Sequence, residues 1–328
     1  MKKIKSLKGG SLSSTDLYKN KKKYFVRKKI SLKFNREFGF QRWLSQMKKI
    51  QNYNSRINNI FPRLLSAGSN SKYAYFDINF YKDSMNCFDY LNQKKKINTK
   101  KYLKILLKET EKLYKIKNQT LVGNIELYFE EEVLNRLNIF RSDKSVRPFI
   151  KYNKIYFNNE EFNQIYKHIN FLKKIFFKNK YLIKETFVHG NLTLENILIN
   201  KNKIIFIDPY EENYVDTLLN DFSQILQSCN SNYELLNKSM FKILKNKVIV
   251  RFNPSINMKN FNKLFKEYLK KNFSFNEIML IRAFEVTQFI RMIPFKLAIN
   301  KRKALLFYAL ACKLLDELKY DYKNKRKF

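Results

Sequence analysis

Hydrophobic and polar positions change their period partway along the chain, and the change separates two kinds of structure. Ahead of residue 80, short apolar runs alternate with charged tips. Ile4–Leu7, Asp16–Tyr18 and Tyr24–Ile30 predict strands, set around a Gly9-Gly10-Ser11 turn and a lysine-rich hairpin tip at Lys21–Lys23. Residues 34–53 predict a helix, because Phe40, Trp43, Leu44, Met47 and Ile50 recur three and four residues apart and so share one face. Pro62 ends the connection that follows, and the aromatic and β-branched run Tyr73–Phe80 predicts a further strand. Later the period turns helical, at Asn98–Lys115, Asn124–Phe140, Glu160–Phe177, Val215–Ser228, Met258–Asn272, Phe275–Met292 and Arg302–Leu318. Between these helices, Ile197–Asn200 and Lys203–Ile207 are two short apolar arms around Lys201-Asn202 and predict a hairpin.

The chain of 328 residues is long enough for a large core. It shows no internal repeat and no Pro/Gly/Ser linker, and its longest apolar run, near Ala304–Cys312, is too short to span a membrane. Lysines rather than an apolar stretch follow Met1, so no signal peptide is expected. Cys87, Cys229 and Cys312 have neither paired nor metal-ligand spacing and read as free thiols. These features suit a cytoplasmic protein without a transmembrane segment.

A formal net charge of +38 first suggests a nucleic-acid partner. The excess arrives with abundant Asn, Ile, Phe and Tyr and with scarce Gly and Pro, a balance that A/T-rich codons favour. The lysines are also dispersed rather than gathered in one recognition element. No nucleic-acid partner is expected on this ground, and a basic RNA-binding module is the least favoured reading. An anionic substrate remains compatible with the charge.

The most specific chemistry lies at 187–208. His189-Gly190-Asn191 precedes Asn196 by a short loop, and Asp208 follows the predicted hairpin. Phosphoryl transfer needs a clamp on nucleotide phosphates, a magnesium ion and a group that orients the acceptor hydroxyl. Asp208 at a strand end is placed to be an anionic metal ligand, and Asn196 can offer its neutral carbonyl oxygen to the same ion. His189 is expected to hold the loop by packing and hydrogen bonding. Taken singly, each residue has an ordinary reading as a turn, strand-end or core residue; together, at this spacing, they point to one site.

The segment resembles the aminoglycoside phosphotransferase and choline kinase group of the protein-kinase-like superfamily, whose loop reads His-Gly-Asp-x-x-x-x-Asn before a later Ile-Asp, here Ile207-Asp208. The resemblance implies an α+β, protein-kinase-like two-lobed fold, with a small β-rich N-lobe over 1–80 and a larger, mainly helical C-lobe over 81–328. It implies ATP and Mg²⁺ as cofactors. Asp221 matches the aspartate that supports the catalytic loop. Gly9, Gly10 and Ser11 match the phosphate-covering turn, and Lys28 matches the phosphate-contacting lysine, with Lys29 in reserve. The helix position that carries the lysine's carboxylate partner falls on Gln46, Glu37 lying too early. Asp77 and Asn79 match the hinge whose backbone meets adenine. Only about twelve residues separate Asp208 from Asp221. That leaves no room for the activation segment of a protein kinase and favours a small-molecule substrate.

One position departs from the pattern: Asn191 stands where the family carries its general-base aspartate. The expectation is therefore an ATP- and Mg²⁺-dependent phosphotransferase acting on a hydroxyl of a small molecule, such as a sugar or surface-carbohydrate precursor. The alternative is a nucleotide-binding pseudokinase. Arg282, Gln288, Arg291 and Lys296, on or just after a late helix, read first as a solvated face and second as residues facing an anionic or sugar ligand. Oligomeric state is not legible.

Overall fold

The computed structural model describes residues 1–7, 13–32, 36–57, 60–115, 123–210 and 213–328, apart from the side chains of 13, 36–39 and 42. The Gly9-Gly10-Ser11 turn lies outside the described residues. In chain order the elements are β1 (Lys2–Leu7), β2 (Ser13–Asn20), β3 (Lys23–Ser31), α1 (Arg36–Arg56), β4 (Leu64–Ser69), β5 (Tyr73–Asn79), β6 (Met85–Asn86), α2 (Cys87–Leu91) and α3 (Thr99–Tyr114). Next come α4 (Ile125–Phe129), a π-helical stretch Glu130–Leu134, α5 (Asn135–Ser142), α6 (Arg147–Ile150), β7 (Lys154–Phe157), β8 (Glu160–Asn163) and α7 (Ile169–Lys178). The chain continues through β9 (Ile197–Asn200), β10 (Lys203–Phe206), α8 (Leu218–Cys229), α9 (Tyr233–Lys238), β11 (Phe241–Leu244), β12 (Lys247–Val250), α10 (Ile256–Asn272), α11 (Phe275–Ile299) and α12 (Lys301–Lys323).

These elements form two compact units. One comprises Met1–Tyr90, Lys104–Leu113 and His189–Asn213; the other comprises Leu91–Leu103, Tyr114–Val188 and Tyr214–Phe328. The loop, hairpin and aspartate singled out in the sequence thus belong to the same unit as the N-terminal strands.

In that first unit the strands form an antiparallel sheet in the order β1-β2-β3-β5-β4. Side chains alternate faces along each strand, so Val26, Lys28 and Ile30 share the face of β3 that packs beneath α1. Val26, Ile30, Phe76 and Ile78 close a core with Trp43 and Ile50 of α1, and Phe40, Leu44 and Met47 pack against its edge. This is the helical stripe expected from the sequence. Each such apolar side chain stabilises the unit by roughly 1.5–3 kcal/mol on full burial. The predicted hairpin is present as β9–β10, turning at Lys201 with φ 55° and pairing Ile197 with Phe206. β6 adds to its free edge through Met85–Ile199.

The second unit is built around α11, whose Phe284 meets Tyr128 at 5.3 Å and Phe176 at 4.9 Å between ring centroids. Two of its elements differ from the sequence expectation. Glu160–Asn163 is strand β8 rather than the start of a helix, because Asn158 at φ 57° turns the chain back on β7 and buries Ile155, Phe157 and Phe162. The helix begins only at Ile169. In addition, α11 continues past Met292 to Ile299 with Pro294 inside it. Proline there removes one helical hydrogen bond, but Ile293 and Leu297 remain buried on either side and hold the last turns in place. β7, β8, β11 and β12 form a four-stranded sheet in the order β11-β12-β7-β8.

The four polar residues singled out on this helix each have a side-chain partner within the unit. Arg282 pairs with Asp321 at 2.8 Å, Gln288 donates to Asn220 at 2.6 Å, Arg291 pairs with Glu132 at 3.1 Å and Lys296 donates to Asn237 at 3.2 Å. The three cysteines are free and buried. Among the described residues no helix is long and apolar enough to cross a membrane.

Candidate active site

The loop of 189–196 is fixed by its own hydrogen bonds and by the hairpin that follows. His189 is fully buried. Its Nε2 donates to the Ile207 carbonyl at 2.9 Å, and its Nδ1 accepts the Asn191 backbone N–H at 3.1 Å. One nitrogen donates and the other accepts, which defines a single neutral tautomer. Burial lowers the His189 pKa to about 3, and the nearby Lys49 ammonium adds to the shift. The ring stacks on Phe61 at 6.0 Å and meets Phe206 edge-on at 5.8 Å. His189 is thus buried and neutral, with each ring nitrogen hydrogen-bonded to backbone.

Gly190 sits at φ 79°, and a Cβ there would run into the Tyr210 carbonyl and the Asn213 amide. Only glycine lets the loop pass so close to the segment beyond Asp208. The Asn191 carbonyl accepts from Thr193 N–H at 2.9 Å and from Asn196 Nδ2 at 2.8 Å. With Nδ2 so committed, the Asn196 side chain presents its oxygen as the remaining polar atom. The amide of Asn191 itself is half-buried and has no hydrogen-bond partner among the described residues.

Strand pairing brings Asn196 to Asp208. The hairpin register continues one step past Ile197–Phe206, where Ile207 N–H donates to the Asn196 carbonyl at 2.9 Å. Asp208 emerges just beyond, at φ 58°, a left-handed conformation uncommon for a residue other than glycine. Its carboxylate forms an ion pair with the ammonium of Lys28.

Lys28 in turn donates to Gln46 Oε1 at 3.3 Å, and Gln46 Nε2 donates to the Pro209 carbonyl at 3.2 Å. The Lys28 ammonium thus has the Gln46 amide as a partner at the helix position where the resemblance implies a carboxylate. Strand alternation also decides between the two candidate lysines. Lys28 lies on the α1 face between Val26 and Ile30, whereas Lys29 points the other way, over the Tyr73 ring at 4.9 Å.

The structure draws in a residue that sequence reasoning missed. Lys49 is buried, and its Nζ donates to the Tyr210 carbonyl. Its signal was faint: it follows Gln46 by three positions on the same helix, hence on a neighbouring surface, but it is one of 66 basic residues.

The side chain of Asp77, whose backbone the resemblance assigned to the hinge, is opposite Arg27 in the sheet and accepts its Nε at 2.7 Å and Nη2 at 2.8 Å, with Ser66 Oγ at 2.8 Å. Arg27 and Lys28 are neighbours in β3 and so point to opposite faces. The Asp77 carboxylate is therefore part of a structural pair on the face away from the Lys28 ammonium. The backbone N–H of Asn79 donates to the Arg63 carbonyl at 3.2 Å. Asp221 is fully buried in the first turn of α8 and accepts the Tyr114 hydroxyl at 3.3 Å.

This architecture, a β-rich N-terminal region followed by a mainly helical part, is the protein-kinase-like fold. Two solved structures are similar over nearly the whole chain. One, assigned as a fructosamine-3-kinase from Haemophilus somnus 129PT, has a TM-score of 0.58 at 11% identity, with 96% of this chain and 90% of that chain covered. The other is the GDP complex of a mutant aminoglycoside 2'-phosphotransferase-IIIa, with a TM-score of 0.57 at 12% identity and coverage of 98% and 92%. At these identities the likeness is one of fold. No family model matches the chain. A curated relative, the small ribosomal subunit protein uS4m of Acanthamoeba castellanii, is 32% identical over 79 residues, or 24% of this chain. This chain spans about a fifth (21%) of that relative's length.

Proposed function

We propose that the protein is an ATP- and Mg²⁺-dependent phosphotransferase acting on a hydroxyl of a small molecule, with a sugar or surface-carbohydrate precursor as the leading class. The observation that carries the reading is the convergence of Lys28, Gln46 and Asp208 beside a loop whose Asn196 amide is locked with its oxygen left over. The names of both structural neighbours, a kinase and a phosphotransferase, point the same way.

The donor set fits magnesium. Asn196 and Asp208 supply oxygens only, and Mg²⁺ is commonly held by one or two protein oxygens together with substrate phosphates and water. Magnesium bound there would neutralise charge on the oxygens of the transferred group. Lys28 would leave its pair with Asp208 to meet the nucleotide phosphates, while Gln46 keeps its ammonium in place. The Asn191 amide oxygen would accept a hydrogen bond from the acceptor hydroxyl and orient it. It cannot take the proton at neutral pH. Because phosphoryl transfer has a loose transition state, positioning and charge neutralisation account for most of the catalysis. Transfer without a carboxylate base is therefore chemically reasonable and slower.

Asn191 also favours a second reading, a nucleotide-binding pseudokinase. Incubating the protein with Mg·ATP and a panel of sugars, amino sugars and choline, and following phosphorylated product by mass spectrometry, separates the two. Product that disappears in Asp208→Ala supports the phosphotransferase. Saturable Mg·ATP binding with no product supports the pseudokinase. GTP is included as a donor because one neighbour holds GDP.

A further inference from the structure

We propose that Lys49 is a positioning residue for the metal-binding carboxylate, acting through the backbone that follows it; the inference rests on the reading of Asp208 as a magnesium ligand. Asp208 adopts φ 58°, a left-handed conformation uncommon for a residue with a Cβ, although Asp adopts it more readily than most. Strained residues of this kind persist only where their surroundings over-determine them. Here each side of Asp208 is tied. Ile207 N–H is held by the Asn196 carbonyl and Tyr210 N–H by the His189 carbonyl, both at 2.9 Å. The two carbonyls after Asp208 are held from α1: Pro209 by Gln46 and Tyr210 by Lys49. Gln46 and Lys49 are three residues apart, so one helical turn grips two consecutive peptide units.

Lys49 is the residue of this set that is hardest to account for as scaffolding. It is 2% exposed, and withdrawing an ammonium from water costs several kcal/mol unless its position is used. It donates to the carbonyl two residues after the proposed metal ligand and lies over the Tyr53 ring at 5.7 Å, and its charge also acts on His189. A neutral His189 is what lets Nδ1 accept the Asn191 N–H. Lys49 thus bears on both halves of the site, the Asp208 carboxylate and the Asn191 loop, without being placed to touch substrate in either role.

The test measures binding of a fluorescent ATP analogue as magnesium is titrated, in wild type, Lys49→Met, Lys49→Arg and Asp208→Ala. Removing a group that orients a metal ligand typically lowers metal affinity about 10–100-fold. Lys49→Met is expected to raise the magnesium midpoint by about tenfold or more while leaving nucleotide affinity in excess chelator unchanged, and Lys49→Arg, which keeps charge and donor, is expected to restore most of it. A purely structural role would lower thermal stability without moving the midpoint. If Lys49→Met does not fold, Lys49→Gln carries the same readout. An unchanged midpoint in the folded variant overturns the proposal. If Asp208→Ala also leaves magnesium dependence intact, the reading of the site itself fails, which is a separate outcome.

Discussion

Lys28 and Asp208 are held against each other as an ion pair, with the lysine also donating to Gln46 at 3.3 Å. The two groups that phosphoryl transfer would use for separate tasks, one on phosphates and one on metal, thus lie in direct contact. Lys28→Met removes the proposed phosphate contact while Asp208, partly exposed, returns to water. A hydrogen bond to a charged group is worth about 1.5–3 kcal/mol. The expected result is a loss of Mg·ATP affinity of roughly tenfold or more, measured by titration calorimetry, with the melting temperature little changed.

Restoring a carboxylate at the acceptor-orienting position tests the account of Asn191. Positioned proton transfer contributes about 10²–10⁴-fold. Asn191→Asp is expected to raise turnover by a factor in that range on whichever acceptor the screen identifies, with nucleotide affinity unchanged, because no described residue depends on the Asn191 amide. Equal turnover in the two proteins, measured by steady-state kinetics, speaks against Asn191 meeting the hydroxyl.

Gly190 is where the loop lies against the segment after Asp208. Gly190→Ala adds a Cβ at φ 79° against the Tyr210 carbonyl. Left-handed strain of about 1–3 kcal/mol adds to the backbone shift needed to relieve the clash. A lower unfolding free energy in denaturant titration, together with weaker magnesium dependence of nucleotide binding, is the expected outcome.

Acid stability should report on His189. Its ordinary value is near 6.5, and in the folded protein burial and the Lys49 charge lower it to about 3. Between those values the unfolded chain binds about one proton more than the folded one. Stability therefore rises with pH across the window and is lost as pH falls, by about 1.4 kcal/mol per unit for this group. His189→Gln keeps a donor for the Ile207 carbonyl and removes the titration. The difference in unfolding free energy between the two proteins should shrink as pH drops from about 6 to about 4; parallel curves would contradict the assignment.

Legibility in the sequence followed how local each feature is. The run from His189 to Asp208 could be read because loop, hairpin and following aspartate are contiguous, whereas the pairing of Asn196 with Ile207 is seen only in the structure. Lys28 and Gln46 could be read because a strand has two faces and a helix repeats every three to four residues. Asp77 could not, since its cross-strand partner Arg27 lies fifty residues away and only the register reveals the pair. Glu160–Asn163 misled because charged residues in a short strand imitate a helix start until β7 supplies the pairing edge. Lys49 stayed hidden among many lysines because burial, not residue type, marks it.

The most direct test of the central claim, that Lys28, Asn196 and Asp208 form a nucleotide–magnesium site, is a titration of ATP into wild type and Asp208→Ala with and without Mg²⁺. The account predicts saturable binding that magnesium strengthens in wild type and does not strengthen in Asp208→Ala. Magnesium strengthening ATP binding equally in both proteins, or no ATP binding by either, would contradict it.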